Sequence, residues 1–123
     1  MCELDNTKKY PDLIELDEEE DNIQYILDKH EYSLLYFTAS WCGPCKKIYP
    51  TLCNINDKIQ NVNIYKIDID INDKLVSNNK IKSVPHFIFL NKNIMLGEYC
   101  GTDANSILKL INDNIKKNNI KKE

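Results

Sequence analysis

Residues 33–39 form a dense apolar and aromatic run that includes Leu34, Leu35, Tyr36 and Phe37, and Trp41-Cys42-Gly43-Pro44-Cys45 follows almost directly. The length and composition of the run suit a strand buried on both faces. A helical pattern then continues to about Gln60, with Pro50 inside it as an expected kink. A buried strand, a tight turn and a long helix, with two cysteines at the turn, leave few folds open. The spacing brings two sulfurs together at the start of a helix, where a disulfide can form and break. Helix N-terminal amides and the helix dipole favour a thiolate there. The thiolate is the form that attacks a disulfide.

The rest of the chain alternates strand and helix signals. Residues 13–16 read as a short strand after Pro11. The acidic run 17–21 leads into Ile23, Ile26 and Leu27, which share one helical face, so it reads as the solvated first turn of a helix. Residues 62–70 carry Val62, Ile64, Ile67 and Ile69 around Lys66 and read as a central strand. A short helix is expected over 72–79 and strands over 84–90 and 94–100, with Asn91-Lys92-Asn93 as a hairpin turn. A final helix follows Gly101, capped by Thr102 or Asp103, with Ala104, Ile107, Leu108, Ile111 and Ile115 on its buried face. The order β-α-β-α-β-α-β-β-α implies an α/β fold, a mixed sheet with helices on both faces. Residues 1–123 read as one domain, with mobile ends at 1–10 and 118–123.

Composition excludes several function classes. A length of 123 residues, 42% hydrophobic and 28% charged, is ordinary for a soluble globular domain. The net charge of −3 argues against nucleic acid as a partner. All basic side chains are lysine, with no arginine, which we read as a coding bias. No run approaches the ~20 apolar residues of a membrane span. The start, Met1-Cys2-Glu3-Leu4-Asp5-Asn6, is neither basic nor apolar like a signal peptide, so a cytoplasmic location is expected. Five cysteines (Cys2, Cys42, Cys45, Cys53 and Cys100) make an odd count. That favours a reducing compartment and one reactive pair over a disulfide framework. A structural zinc site needs about four ligands. One Cys-x-x-Cys with scattered Cys53, Cys100 and two histidines lacks the second pair, so no metal is expected.

The stretch from Phe37 to Pro50, with Trp41-Cys42-Gly43-Pro44-Cys45 at its centre, resembles the active-site region of the thioredoxin family. Lys66-Ile67-Asp68-Ile69-Asp70 resembles that family's following strand, Val84-Pro85 its cis-proline loop, and Gly101 the glycine closing its last strand. The resemblance runs from about Leu13 to Ile115. It implies a thioredoxin fold: a central mixed five-stranded sheet flanked by four helices. It also implies a protein-disulfide reductase. Cys42 is then the exposed nucleophile and Cys45 the buried resolving thiol. Gly43 and Pro44 shape the turn and help set the redox poise, and Trp41 offers apolar contact to the client. Pro85 is expected in cis, exposing the Val84 backbone to an extended client strand. No bound cofactor is implied. Electrons would come from NADPH through a thioredoxin reductase. Clients would include peroxiredoxins and ribonucleotide reductase, and the protein would act as a monomer.

Tyr36 is the main departure from the family's pattern. The family usually has a buried aspartate there, which helps remove the proton from the resolving thiol. A tyrosine, with an ordinary pKa near ~10 that burial raises further, is a poor base near neutrality. Resolution is then expected to be slower, or to rely on Lys66 or water, with Lys66 reaching the Tyr36 hydroxyl or solvent. Two functions stay open: a disulfide reductase, and a binding protein of the same fold with weak turnover. Reduction kinetics separate them. His86, after the proline, is a candidate to shift thiol pKa values or shuttle protons, and Cys100 is a candidate accessory thiol beside the client groove.

Overall fold

A computed structural model describes residues 14–16, 27–59 and 61–122. The strands are β1 (Ile14–Leu16), β2 (Tyr32–Thr38), β3 (Val62–Asp68), β4 (His86–Asn91) and β5 (Ile94–Cys100). The described helices are α1 (Gly43–Lys58), α2 (Asp73–Asn78) and α3 (Ala104–Lys122). The helix expected over the acidic run, and the mobile end expected at 1–10, lie outside the described residues. α3 continues to Lys122.

The strands form one mixed five-stranded sheet in the order β1-β3-β2-β4-β5. β1 and β2 run parallel to β3, β4 is antiparallel to β2, and β5 is antiparallel to β4. Every residue of β2 is buried, Ser33 and Thr38 included, as fits a strand at the middle of a sheet with both faces covered. The period-2 alternation of side chains sorts the core into two layers. Leu34, Tyr36, Ile64, Phe87 and Phe89 face α1 and α3, meeting Ile48, Leu52, Ile107 and Ile111. Leu35, Phe37, Tyr65, Ile67 and Ile88 face the other way, toward Leu75 of α2.

Several boundaries differ from the sequence reading. β3 ends at Asp68, because Ile69 and Asp70 already turn toward α2. β4 begins at His86, because Val84 and Pro85 form a cis peptide outside the ladder. The hairpin turn uses Lys92 with φ 53°. The register places Tyr36 beside Lys66 and Thr38 beside Asp68. In a parallel pair these neighbours share one face, so all four project toward α1. That places charged β3 side chains behind the cysteine-bearing helix start.

Candidate active site

Cys42 and Cys45 are joined as a disulfide, with their Cα atoms 5.3 Å apart. Cys42 is the residue that caps α1, and its sulfur accepts a hydrogen bond from the Cys45 backbone N–H at 3.2 Å. Gly43 and Pro44 fill the first helical positions, where a missing N–H costs nothing. A Cβ at Gly43 would meet nothing within 4 Å, so this glycine keeps the surface beside the disulfide low instead of serving internal packing.

The expected contrast between an exposed Cys42 and a buried Cys45 is weak in the disulfide state. Cys42 is 4% exposed and Cys45 1%. The bridge itself turns the Cys42 sulfur inward, 3.8 Å from the Val84 carbonyl oxygen. The Val84–Pro85 bond is cis, as the family resemblance implied. Gly101 donates its N–H to the Pro85 carbonyl at 3.2 Å, tying the end of β5 to this loop. Gly101 has φ +149°, and a Cβ there would lie 2.5 Å from the Tyr99 hydroxyl oxygen, so only glycine fits without a shift. Trp41 is 67% exposed, and its indole N–H donates to Asp70 at 3.0 Å. That bond holds a large apolar surface open to solvent next to the disulfide.

Tyr36 is fully buried behind the site and stacks on Phe87, which stacks in turn on Tyr99. Its hydroxyl donates to the Cys45 carbonyl at 3.0 Å. Burial pushes its pKa above the ordinary tyrosine value; a hydrogen bond with the Thr38 side chain opposes this and nearby Cys53 adds to it. Tyr65 is shifted the same way by burial. Lys66, expected at the Tyr36 hydroxyl or in solvent, places its ammonium 5.4 Å from the centre of the Tyr49 ring. Replacing Tyr36 by Phe is expected to lower stability by about 1 kcal/mol near neutral pH, the usual worth of one hydrogen bond. Both tyrosines are easier to ionise unfolded than folded. The stability they supply is therefore present below about pH 10 and lost as pH rises through their folded values. Tyr36→Phe is expected to flatten this alkaline loss in part, read from urea midpoints at pH ~7 and pH ~10.5.

Two features escaped the sequence reading. Asp70 serves as the anchor of Trp41. A cavity of about 380 Å³ lies behind the disulfide, lined among others by Tyr36, Cys45, Tyr49, Lys66 and Asp68. The signal for Asp68 was its place two residues after Lys66 on an alternating strand, which puts both on one face. Of the other candidates, His86 pairs with Glu98 at 2.8 Å. The exposed Cys100 has its sulfur 2.9 Å from the Ser83 hydroxyl oxygen, Cys53 is buried, and Cys2 lies outside the described residues. Among the described residues no cluster of three or more His, Cys, Asp or Glu side chains could hold a metal ion.

The family model named Thioredoxin matches residues 13–113. The chain belongs to the thioredoxin family. It is 34% identical to human thioredoxin over 77 residues, which is 63% of this chain and 73% of the human protein. Thioredoxin from Trypanosoma brucei brucei superposes with a TM-score of 0.79 at 29% identity, covering 88% of this chain and 95% of that one. A chain from a study of thiol resolution in yeast mitochondrial 1-Cys peroxiredoxin via glutathione/thioredoxin systems superposes at 0.77 with 21% identity, covering 85% and 97%, and shows the shared fold. As a thioredoxin-family protein with its Cys42–Cys45 pair at disulfide distance, the chain is a thiol-disulfide oxidoreductase that reduces protein disulfides.

Proposed function

We propose that Cys42 opens the client's disulfide and Cys45 completes the reduction. The observation that carries this order is the Cys45 N–H aimed at the Cys42 sulfur from the first turn of α1. In the reduced protein that amide and the helix dipole stabilise negative charge on Cys42 and not on Cys45. The Cys42 thiolate attacks one client sulfur, forms a mixed disulfide and expels the other sulfur as a thiolate. Cys45 then attacks the Cys42 sulfur. The Cys42–Cys45 bond forms, the bond to the client breaks, and the client leaves with two more electrons.

The surface around Cys42 supports an extended client segment. Trp41 supplies apolar contact, Gly43 leaves the approach open, and Val84 offers backbone groups in the manner of strand addition. NADPH through a thioredoxin reductase would return the electrons, and peroxiredoxins are among the expected clients, consistent with the likeness to the chain from the peroxiredoxin study. We further propose that the protein acts as a monomer in the cytoplasm and that residues 1–123 are one domain. The alternative, a binding protein that turns over poorly, draws on Tyr36 standing where the family usually has a carboxylate.

Insulin-disulfide reduction with NADPH and a thioredoxin reductase separates the two readings. Wild type is expected to precipitate insulin steadily and Cys42→Ser not at all. A folded wild type that stays inactive even with dithiothreitol as reductant would favour the binding reading.

A further inference from the structure

We propose that Asp68 accepts the Cys45 proton, through water in the cavity behind the disulfide, when Cys45 resolves the mixed disulfide. The inference rests on Cys45 being the resolving thiol. Tyr36 occupies the place behind Cys45 and does not serve as the base. Its hydroxyl is spent as a donor to the Cys45 carbonyl, and burial holds it protonated. The proton must leave by another route, and the cavity provides one.

Cys45 and Asp68 line the same cavity of about 380 Å³. One water takes up about 30 Å³ and needs two to four polar partners. The cavity is wide enough for several, and its lining includes one aspartate, two lysines and the hydroxyl-bearing Tyr36, Thr38, Ser40 and Tyr49. Asp68 sits at the end of β3 nearest the disulfide, paired in register with Thr38. Its Oδ1 accepts the Asp70 N–H at 2.8 Å, which fixes the carboxylate in place. Two lysines line the same space, Lys46 from α1 and Lys66 from β3. Besides Cys45, the remaining ionisable side chains on its walls are Tyr36, which burial holds protonated, and Tyr49.

The step balances within the protein and client. The Cys45 S–H gives its proton to water, and water gives one to the Asp68 carboxylate. The Cys45 thiolate attacks the Cys42 sulfur, the Cys42–client bond breaks, and the client sulfur departs with the electron pair. Asp68 then returns its proton to solvent through the cavity. Since it acts through water, Asp68 is a positioning residue for the proton.

An aromatic disulfide that releases a coloured thiolate at each step resolves the reaction in stopped flow. Reduced protein is mixed with an equal amount of this reagent, so the first phase reports attack by Cys42 and the second resolution by Cys45. In wild type the second phase is expected to vary little between about pH 5.5 and pH 7.5, because a base inside the protein, and not hydroxide from solution, takes the proton. In Asp68→Asn the first phase is expected to be unchanged. The second should slow at least about tenfold near pH 6 and rise about tenfold per pH unit, as free thiol ionisation dictates. Asp68→Glu is expected to recover the flat profile. Asparagine keeps an oxygen for the Asp70 N–H, and urea midpoints of both variants check the fold. A second phase in Asp68→Asn with wild-type rate and pH profile overturns the proposal. A wild type that completes the first phase and shows no second removes Cys45 as the resolving thiol, and the proposal falls with that reading.

Discussion

Cys45→Ser is expected to halt the protein on its client. The variant keeps Cys42 with its capping amide, so the first exchange proceeds and a mixed disulfide forms. A serine hydroxyl is not ionised near neutral pH and does not attack sulfur, so the adduct persists. Turnover should fall by about three orders of magnitude or more, the usual cost of removing a reacting group. The check is a mass shift equal to one client chain, reversed by dithiothreitol and absent in a Cys42→Ser, Cys45→Ser double variant. Steady turnover by Cys45→Ser would mean that another thiol, with the exposed Cys100 first in line, performs the resolution.

The largest effect on stability is expected at Phe87. Its ring is fully buried, 5.3 Å from the Tyr36 ring centre on one side and 6.3 Å from that of Tyr99 on the other. Phe87→Ala removes a large apolar volume and leaves a gap between two rings that cannot both move in. Such truncations cost about 3–5 kcal/mol, out of a total folding stability of about 5–15 kcal/mol for an ordinary domain. The thermal midpoint should fall by about 10 °C or more, at the ~4 °C per kcal/mol where the ranges for smaller and larger domains meet. Phe87→Leu should cost about half as much or less. Equal midpoints for Phe87→Ala and wild type would show that the stack is not part of the folded core.

The local elements of this fold were legible because local chemistry dictates them. A largely apolar and aromatic run, a Cys-x-x-Cys at a helix start and a capping Asp103, whose carboxylate accepts from the Asn105 N–H and the Ser106 hydroxyl, are short-range patterns. The bounds of β5 were anticipated to the residue. Strand order was not legible, because β1 lying beside β3 is a long-range pairing that no local pattern records. The inward turn of Cys42 was hidden for a similar reason: the groups that cover it, such as the Val84 carbonyl, lie far along the chain. Tyr36 was recognised as a departure, but its bond to the Cys45 carbonyl depends on a packing distance between β2 and α1. The roles open to Asp68 and Asp70 required knowing where β3 stops.

The line of rings from Tyr36 through Phe87 to Tyr99 ends in two hydrogen bonds, one to the Cys45 carbonyl and one from the Asp103 N–H. This line constrains the order in which the chain can change. A carboxylate at position 36, the family's usual device, would strip Phe87 of its neighbour and bury a charge in the same step. A larger ring at position 87 would refill part of the space, but it would overpack the stack while Tyr36 is present. Neither substitution is an easy first step. The chain is thereby held on its present side of a two-residue barrier, with its proton chemistry left to groups outside the stack.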